Sequence, residues 1–388
     1  MHDGKTKSGG GVAALVLGVV AIGIEGLIVA PVLADISGAF GVAPAQAASV
    51  VSAYGLSLAI VAPLVALLGW RVSRKTAMRA GLIMFTAAGL LCACASSFQT
   101  LLLARAACGA AVGIYLPACY AYVGDTTAYE QRGRVMGRVM AGWSLALILG
   151  VPLGSLLAQF WGWRSAFIVT SALSAVAAVM VARLPAGPPQ AAASSLLPLS
   201  GRLYLGKGVP ALLLLNFFDM LSFYGVYTFL GVAVRQRLGG GSGFFGWFVC
   251  CYRLGLLLST SNARVLDRFG KERVLGLVLV LLAGLLGLLP AALQHVTALA
   301  GVMLVWGVLQ GLAQTGSATL VTAASGTARG LAMACMSCST YMAVGIGSFA
   351  GGRLMHAMGF EALALAGTLS AVLALGLLRR YSAAKPTI

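Results

Sequence analysis

The sequence predicts an all-α integral membrane protein of twelve transmembrane helices, arranged as two six-helix bundles related by pseudo-two-fold symmetry. Three observations predict it. Of the 388 residues 60% are hydrophobic and 9% charged, too few polar groups to cover a water-soluble surface. Apolar runs long enough for a helix to cross a bilayer recur down the whole chain. The two halves of the chain also echo one another, as they do where a membrane fold repeats a six-helix unit.

The elements follow in order. The first run, 12–35, carries Glu25 near its middle, and the second, 47–69, carries Tyr54. GWRVSRK then gives a basic loop with Arg71, Arg74 and Lys75 before the third run, 77–96. The fourth, 100–124, contains Arg105, Tyr115 and a pair of glycines, Gly109 and Gly113, that clears one helix face for a close neighbour. In the fifth, 136–158, Gly142, Gly150 and Gly154 stand with Pro152, which removes a backbone donor and bends the helix. The sixth run is 165–184.

Residues 184–208 are rich in Pro, Ala and Ser without sustained apolar period, and read as a linker between bundles at 1–183 and 209–388. The seventh run, 209–233, includes NFFDMLSFYGVYTF, which sets Asn216, Asp219 and Ser222 at helical spacing among Phe217, Phe218, Phe223, Tyr224 and Tyr227. Arg253 lies in the eighth, 244–263, and DRFGK follows with Asp267, Arg268 and Gly270. The ninth is 274–293. The tenth, 297–321, offers Gln310 and Gln314 one turn apart; the eleventh, 330–351, has Gly347 and Gly351; the twelfth is 362–378. The echoes pair GWRVSRK with DRFGKER, RAACGAAVG with GVLQGLAQT, and VPLGS with FAGGR, and they place a binding site at the midplane between the repeats.

A net charge of +17 raises nucleic acid as a partner, but the basic residues are scattered through short loops and form no single patch. With the amino terminus placed inside, 20 of the 26 Lys and Arg fall on cytoplasmic segments, so both termini and the linker are expected to be cytoplasmic. No cleavable signal is expected ahead of the first run, which is therefore retained. The eight cysteines lie inside apolar helices and read as small packing residues, CMSC at 335–338 included. No metal site and no cofactor are expected, and no nucleophile–base pair that would make an enzyme can be assembled.

Four stretches carry a family resemblance: IEGLIVAPVLADI in the first run, the two inner loops, Arg105 with Gly109 and Gly113, and GWSLALILGVPLGSLLAQFWGWRSAF in the fifth run and beyond. On these the sequence resembles the major facilitator superfamily over essentially its whole length, and within it the drug:proton antiporters close to the arabinose and sugar efflux permeases. The resemblance departs from the family in the first inner loop, where Trp70 stands in place of the acid. DRFGK keeps that acid as Asp267. It implies a cytoplasmic gate at these loops, an antiporter motif at Gly150, Pro152 and Gly154, and a central cavity lined by helices one, four, seven and ten. The plainer readings are that the basic loops serve orientation and the glycine pairs serve packing.

Four ionisable residues lie well inside the runs: Glu25, Arg105, Asp219 and Arg253. Charges at a bilayer centre cost about 2.5–3.5 kcal/mol, so each should face the protein interior or a wet cavity. Either they couple proton movement to substrate, with Asp219 as the repeat counterpart of Glu25, or they are ion pairs that fix packing. Tyr54, Tyr115, Asn216, Tyr224, Gln310 and Gln314 are the candidate cavity wall, suited to moderately lipophilic solutes. The expected activity is proton-coupled export of a small drug-like or sugar-like molecule by a monomer in a bacterial inner membrane, with substrate, protons and lipid as its partners. Uptake of an organic anion and a non-transporting sensor or assembly module are the alternatives. The topology predicts that a single cysteine at position 200, in a Cys-free background, escapes an impermeant thiol reagent applied from outside; strong labelling there would contradict it.

Overall fold

The computed structural model describes residues 9–67, 72–127, 129–146, 150–185, 208–261, 264–325 and 329–383. The described residues form helices and connecting turns, with no strand among them. In chain order the helices are α1 (Gly9–Phe40), α2 (Pro44–Ala47), α3 (Ser49–Leu67), α4 (Arg74–Ala93), α5 (Phe98–Thr126), α6 (Tyr129–Leu145), α7 (Val151–Trp161) and α8 (Trp163–Ala182). They continue with α9 (Val209–Leu238), α10 (Ser242–Ser261), α11 (Arg264–Phe269), α12 (Lys271–Ala292), α13 (Val296–Ala324) and α14 (Arg329–Ala383). Among the described residues each of the twelve apolar runs falls on helix, the fifth on two elements.

Three details depart from the simple count of runs. A short helix, α2, precedes the second run and starts on Pro44, whose missing N–H costs nothing in a first turn. The fifth run falls on α6 and α7, between which residues 147–149 lie outside the described residues, with Pro152 in the first turn of α7. The last two runs share α14 and are separated by Gly359 alone, at φ 78° and ψ −175°, a backbone conformation that favours glycine. Elsewhere local chemistry sets the ends: Ser73 and Ser97 each accept a hydrogen bond from the backbone N–H three residues on, at 3.2 Å, and so cap α4 and α5.

The chain separates into two compact units, Met1–Ile28 with Ser57–Arg202, and Val29–Leu56 with Leu203–Ile388. The second part of α1, α2 and the start of α3 thus assort with the helices of the chain's second half. In the first unit α4 packs on α5 and α8, and α7 on α8. In the second, α9 lies along α14, α10 along α13, and α12 against both α13 and α14.

Glycines decide how closely these helices approach. A Cβ on Gly142 would meet the Val16 carbonyl oxygen at 3.0 Å, and one on Gly150 or Gly154 would collide with Ile24 or Ile28. The small face of the fifth run therefore receives the side chains of α1. Gly347 and Gly351 do the same for α9, at Gly225 and Phe229. Between α10 and α13 the approach is closer still. A Cβ on Gly255 would overlap the Leu304 carbonyl oxygen, and one on Gly307 the Tyr252 carbonyl oxygen, so the two backbones touch. Gly307→Ala should force these helices apart and lower stability by about 1–3 kcal/mol. Gly284→Ala on α12, with nothing within 4 Å of the new methyl, should not. Thermal melts of the two purified variants compare them directly.

Candidate substrate and proton site

In the first unit the charge cluster is an ion pair. Arg105 on α5 donates from Nη1 to Oε1 of Glu25 on α1, and both side chains are wholly buried. The Arg105 guanidinium also lies 5.9 Å from the centre of the Phe167 ring. Glu25 Oε2 is buried without a hydrogen-bond partner. The pair forms because α1 is held in register with α5: the Tyr115 hydroxyl donates to the Leu15 carbonyl at 3.2 Å. Tyr115, a candidate wall residue, is completely buried in that contact.

The second unit treats its acid differently. Asp219 on α9 is 1% exposed and accepts from Gln310 Nε2 on α13 at 3.1 Å, while its Oδ1 has no partner. Arg253 on α10 is 3% exposed, with its Cζ 5.0 Å from the centre of the Tyr252 ring. Its Nε and Nη2 are unpartnered. Glu25 and Asp219, expected from the sequence to be counterparts, are thus in unlike environments, one facing a cation and the other a neutral amide.

The remaining candidates divide. Asn216 donates to the Met336 carbonyl and to the hydroxyls of Ser339 and Thr340 at 3.0–3.3 Å, which ties α9 to α14. Gln314 is exposed and lies 2.9 Å from Met220 Sδ. Tyr224 is half-buried against Phe223, with ring centres 4.9 Å apart, and Tyr54 is buried.

At the basic loops, Arg74 pairs with Asp125 near the end of α5 at 3.5 Å. Sequence reasoning found no anion for this loop because it sought one within the motif; the carboxylate comes from 51 positions further along. Lys75 is half-buried, Arg268 packs on the Phe269 ring at 5.4 Å, and Gly270 adopts φ 88° between α11 and α12. Arg71 and the Asp267 side chain lie outside the described residues. A second ion pair not anticipated joins Asp35 and Arg235 at 2.8 Å in the second unit. Asp35 is the second acid of the IEGLIVAPVLADI pattern, so its position was legible although its partner was not.

Helices of this length and apolarity, with paired charges sealed inside them, belong to a protein whose chemistry takes place within a bilayer. Nine helical segments among the described residues are long and apolar enough to cross one. The family model described as Major Facilitator Superfamily matches residues 15–206 and 212–387. The chain belongs to the major facilitator superfamily. It is accordingly an integral, multi-pass membrane transporter with the all-α fold of that superfamily, and not an enzyme. An uncharacterized MFS-type transporter of Bacillus subtilis, YwfA, is 33% identical over 358 residues, 91% of this chain and 87% of that one. A chloramphenicol efflux pump of Mycobacterium tuberculosis is 29% identical over 255 residues, 61% of this chain and 59% of the pump. Among solved structures, a bacterial homologue of the human lysosomal transporter Spinster, inward-facing and occupied, shares the fold at a TM-score of 0.74 and 15% identity, covering 96% of each chain.

Within this superfamily transporter the Glu25–Arg105 pair should behave as one unit. Removing one member of a buried pair strands the other charge, at a cost of about 3–5 kcal/mol, whereas removing both leaves two neutral groups. Arg105→Gln should therefore melt well below the parent protein, and Glu25→Gln/Arg105→Gln should regain most of the loss. Equal destabilisation of the single and double variants would show that the pair is not coupled.

Proposed function

We propose that this transporter is a proton-coupled exporter of small organic molecules, working by alternating access from a bacterial inner membrane with both termini in the cytoplasm. The bodies that exchange access are the bundles 1–183 and 209–388, joined by the linker 184–208, in a chain that acts as a monomer. The observation that carries the reading is the buried Glu25–Arg105 pair. A carboxylate that takes up a proton loses its charge and with it most of its hold on the guanidinium, so protonation and the packing of α1 on α5 are linked. A structural event that follows one proton is what coupling requires.

Two further facts support export. The Gly150, Pro152 and Gly154 set has the antiporter pattern, and its small face receives Ile24 and Ile28, on either side of Glu25 along α1. Movement at the pair and movement of α7 are therefore mechanically joined. The efflux pump of Mycobacterium tuberculosis carries chloramphenicol in its name, which makes chloramphenicol the first substrate to test here. Asp219, held by Gln310, serves as a second proton or substrate group, and the Arg74 loop with DRFGK forms the cytoplasmic gate.

Glu25→Gln keeps the size and hydrogen bonding of the side chain but cannot titrate. It also strands the Arg105 charge and should melt lower for that reason, but the folded protein in proteoliposomes should retain exchange of chloramphenicol down its gradient while losing pH-driven accumulation and substrate-induced proton release, read with a pH-sensitive dye. Pumping with an unchanged pH profile would reduce Glu25 to a packing residue.

A further inference from the structure

Buried polar groups in folded proteins almost always find partners, so a concentration of unpartnered ones asks for a cause. Ten buried side-chain atoms among the described residues lack one, and six of the ten lie in a single region of the second unit. They are Asp219 Oδ1, the Tyr227 hydroxyl, Arg253 Nε and Nη2, Trp306 Nε1 and Gln310 Oε1. The region is continuous. The Tyr252 ring lies 5.0 Å from Arg253 Cζ, 6.1 Å from the Tyr227 ring and 6.0 Å from the Trp306 ring, and Phe223 stacks on Tyr227 and Tyr252 at 5.1 and 5.5 Å. Trp306 and Gln310 are one turn apart on α13, and Gln310 holds Asp219.

The arrangement of the donors is specific. Nε–H and Nη2–H form one edge of the guanidinium and point the same way, at the spacing of two oxygens on a single planar group. That edge is unpaired although a carboxylate stands in the same region: Asp219 accepts from Gln310 at Oδ2, at 3.1 Å, and its Oδ1 is without a partner. The Tyr227 hydroxyl lies beside the guanidinium. A charged fork sealed among aromatic rings, with a hydroxyl beside it and an indole N–H nearby, costs stability unless a ligand completes it.

We propose that Arg253, assisted by Tyr227 and Trp306, is the recognition point for a planar two-oxygen group, carboxylate or nitro, carried on an aromatic molecule. The rings of Phe223, Tyr252 and Trp306 supply the apolar surface for the rest of that molecule, and Asp219 Oδ1 and Gln310 Oε1 accept from its hydroxyl or amide groups. Arg253 is 3% exposed in this conformation, so the ligand enters when the transporter opens; the inference rests on the transport reading for that step alone.

The test uses the full-length protein in detergent and ligand-observed NMR titrations with four probes: benzoate, 4-nitrobenzyl alcohol, benzyl alcohol and benzamidine. The first two should bind at least about tenfold tighter than benzyl alcohol, a preference of the size that one charge-assisted bidentate contact provides. Arg253→Met should abolish the preference and melt at or above the wild-type temperature, since it removes an unpartnered buried charge. Arg253→Lys, which keeps the charge but not the fork, should lose most of the preference. If the Met variant does not fold, Tyr227→Phe, which keeps the ring, should weaken both favoured probes by about threefold, the effect of one hydrogen bond.

Three results would overturn the inference: no preference in the wild-type protein, an unchanged preference in the folded variants, or tightest binding by benzamidine with loss in Asp219→Asn. Failure of proton-driven chloramphenicol transport would instead count against the export reading and leave an Arg253-dependent probe preference intact.

Discussion

A charge enclosed where water cannot follow must be answered by another group of the protein, and the Glu25–Arg105 pair is where this chain meets that constraint most directly. Everything around the pair serves its register. Tyr115 pins α5 to the backbone of α1, and the glycines at 142, 150 and 154 let α1 lie close enough for its isoleucines to seat on either side of the glutamate. Larger residues at those glycines would move α1 and with it the carboxylate. The antiporter-like pattern of the fifth run and the acid of the first run are therefore one structural statement, made from two helices.

The second unit answers the same constraint with neutral groups. Gln310 satisfies one oxygen of Asp219, and Asn216 spends its amide on α14, so neither places a cation on the acid. Arg253 is left against an aromatic face. The buried acids of α1 and α9 thus differ in their pairing, one with a cation and the other with a neutral amide. The unit with the ion pair has its buried charges matched, and the unit with more open donors and acceptors has spare hydrogen-bonding capacity.

Much of the fold was legible because run length and apolarity are local properties: among the described residues every apolar run lies on helix. The ends of elements were less so. Gly359 alone turns the chain between its last two spans, and α11 is too short to leave an apolar signature. For the site, the sequence identified which residues were ionisable and inside, and it named Arg105 as a possible partner of an acid. It could not tell that Asp219 would take Gln310 in preference to Arg253, because helical spacing describes one helix's face and not its neighbour's. Asp125, the partner of Arg74, was missed for the same reason, and so was the contact of Asp35 with Arg235 across 200 positions. The closest helix approach was overlooked too. Gly307 and Gly311 sit in GVLQGLAQT, a stretch that stands out in the sequence for Gln310, Gln314 and its echo of the first half, while the facing glycine, Gly255, belongs to no motif.

That approach also bears on how the sequence can drift. With the α10 backbone resting on that of α13 at Gly255 and Gly307, neither position can acquire a side chain while the other helix stays in place. Relief would need a shift of the whole helix, which would carry Arg253 and Tyr252 away from Trp306 and Gln310. The two glycines therefore act as a lock on the helix contact: the side chains around Arg253 can be exchanged one at a time, but the contact that presents them can change only as a whole.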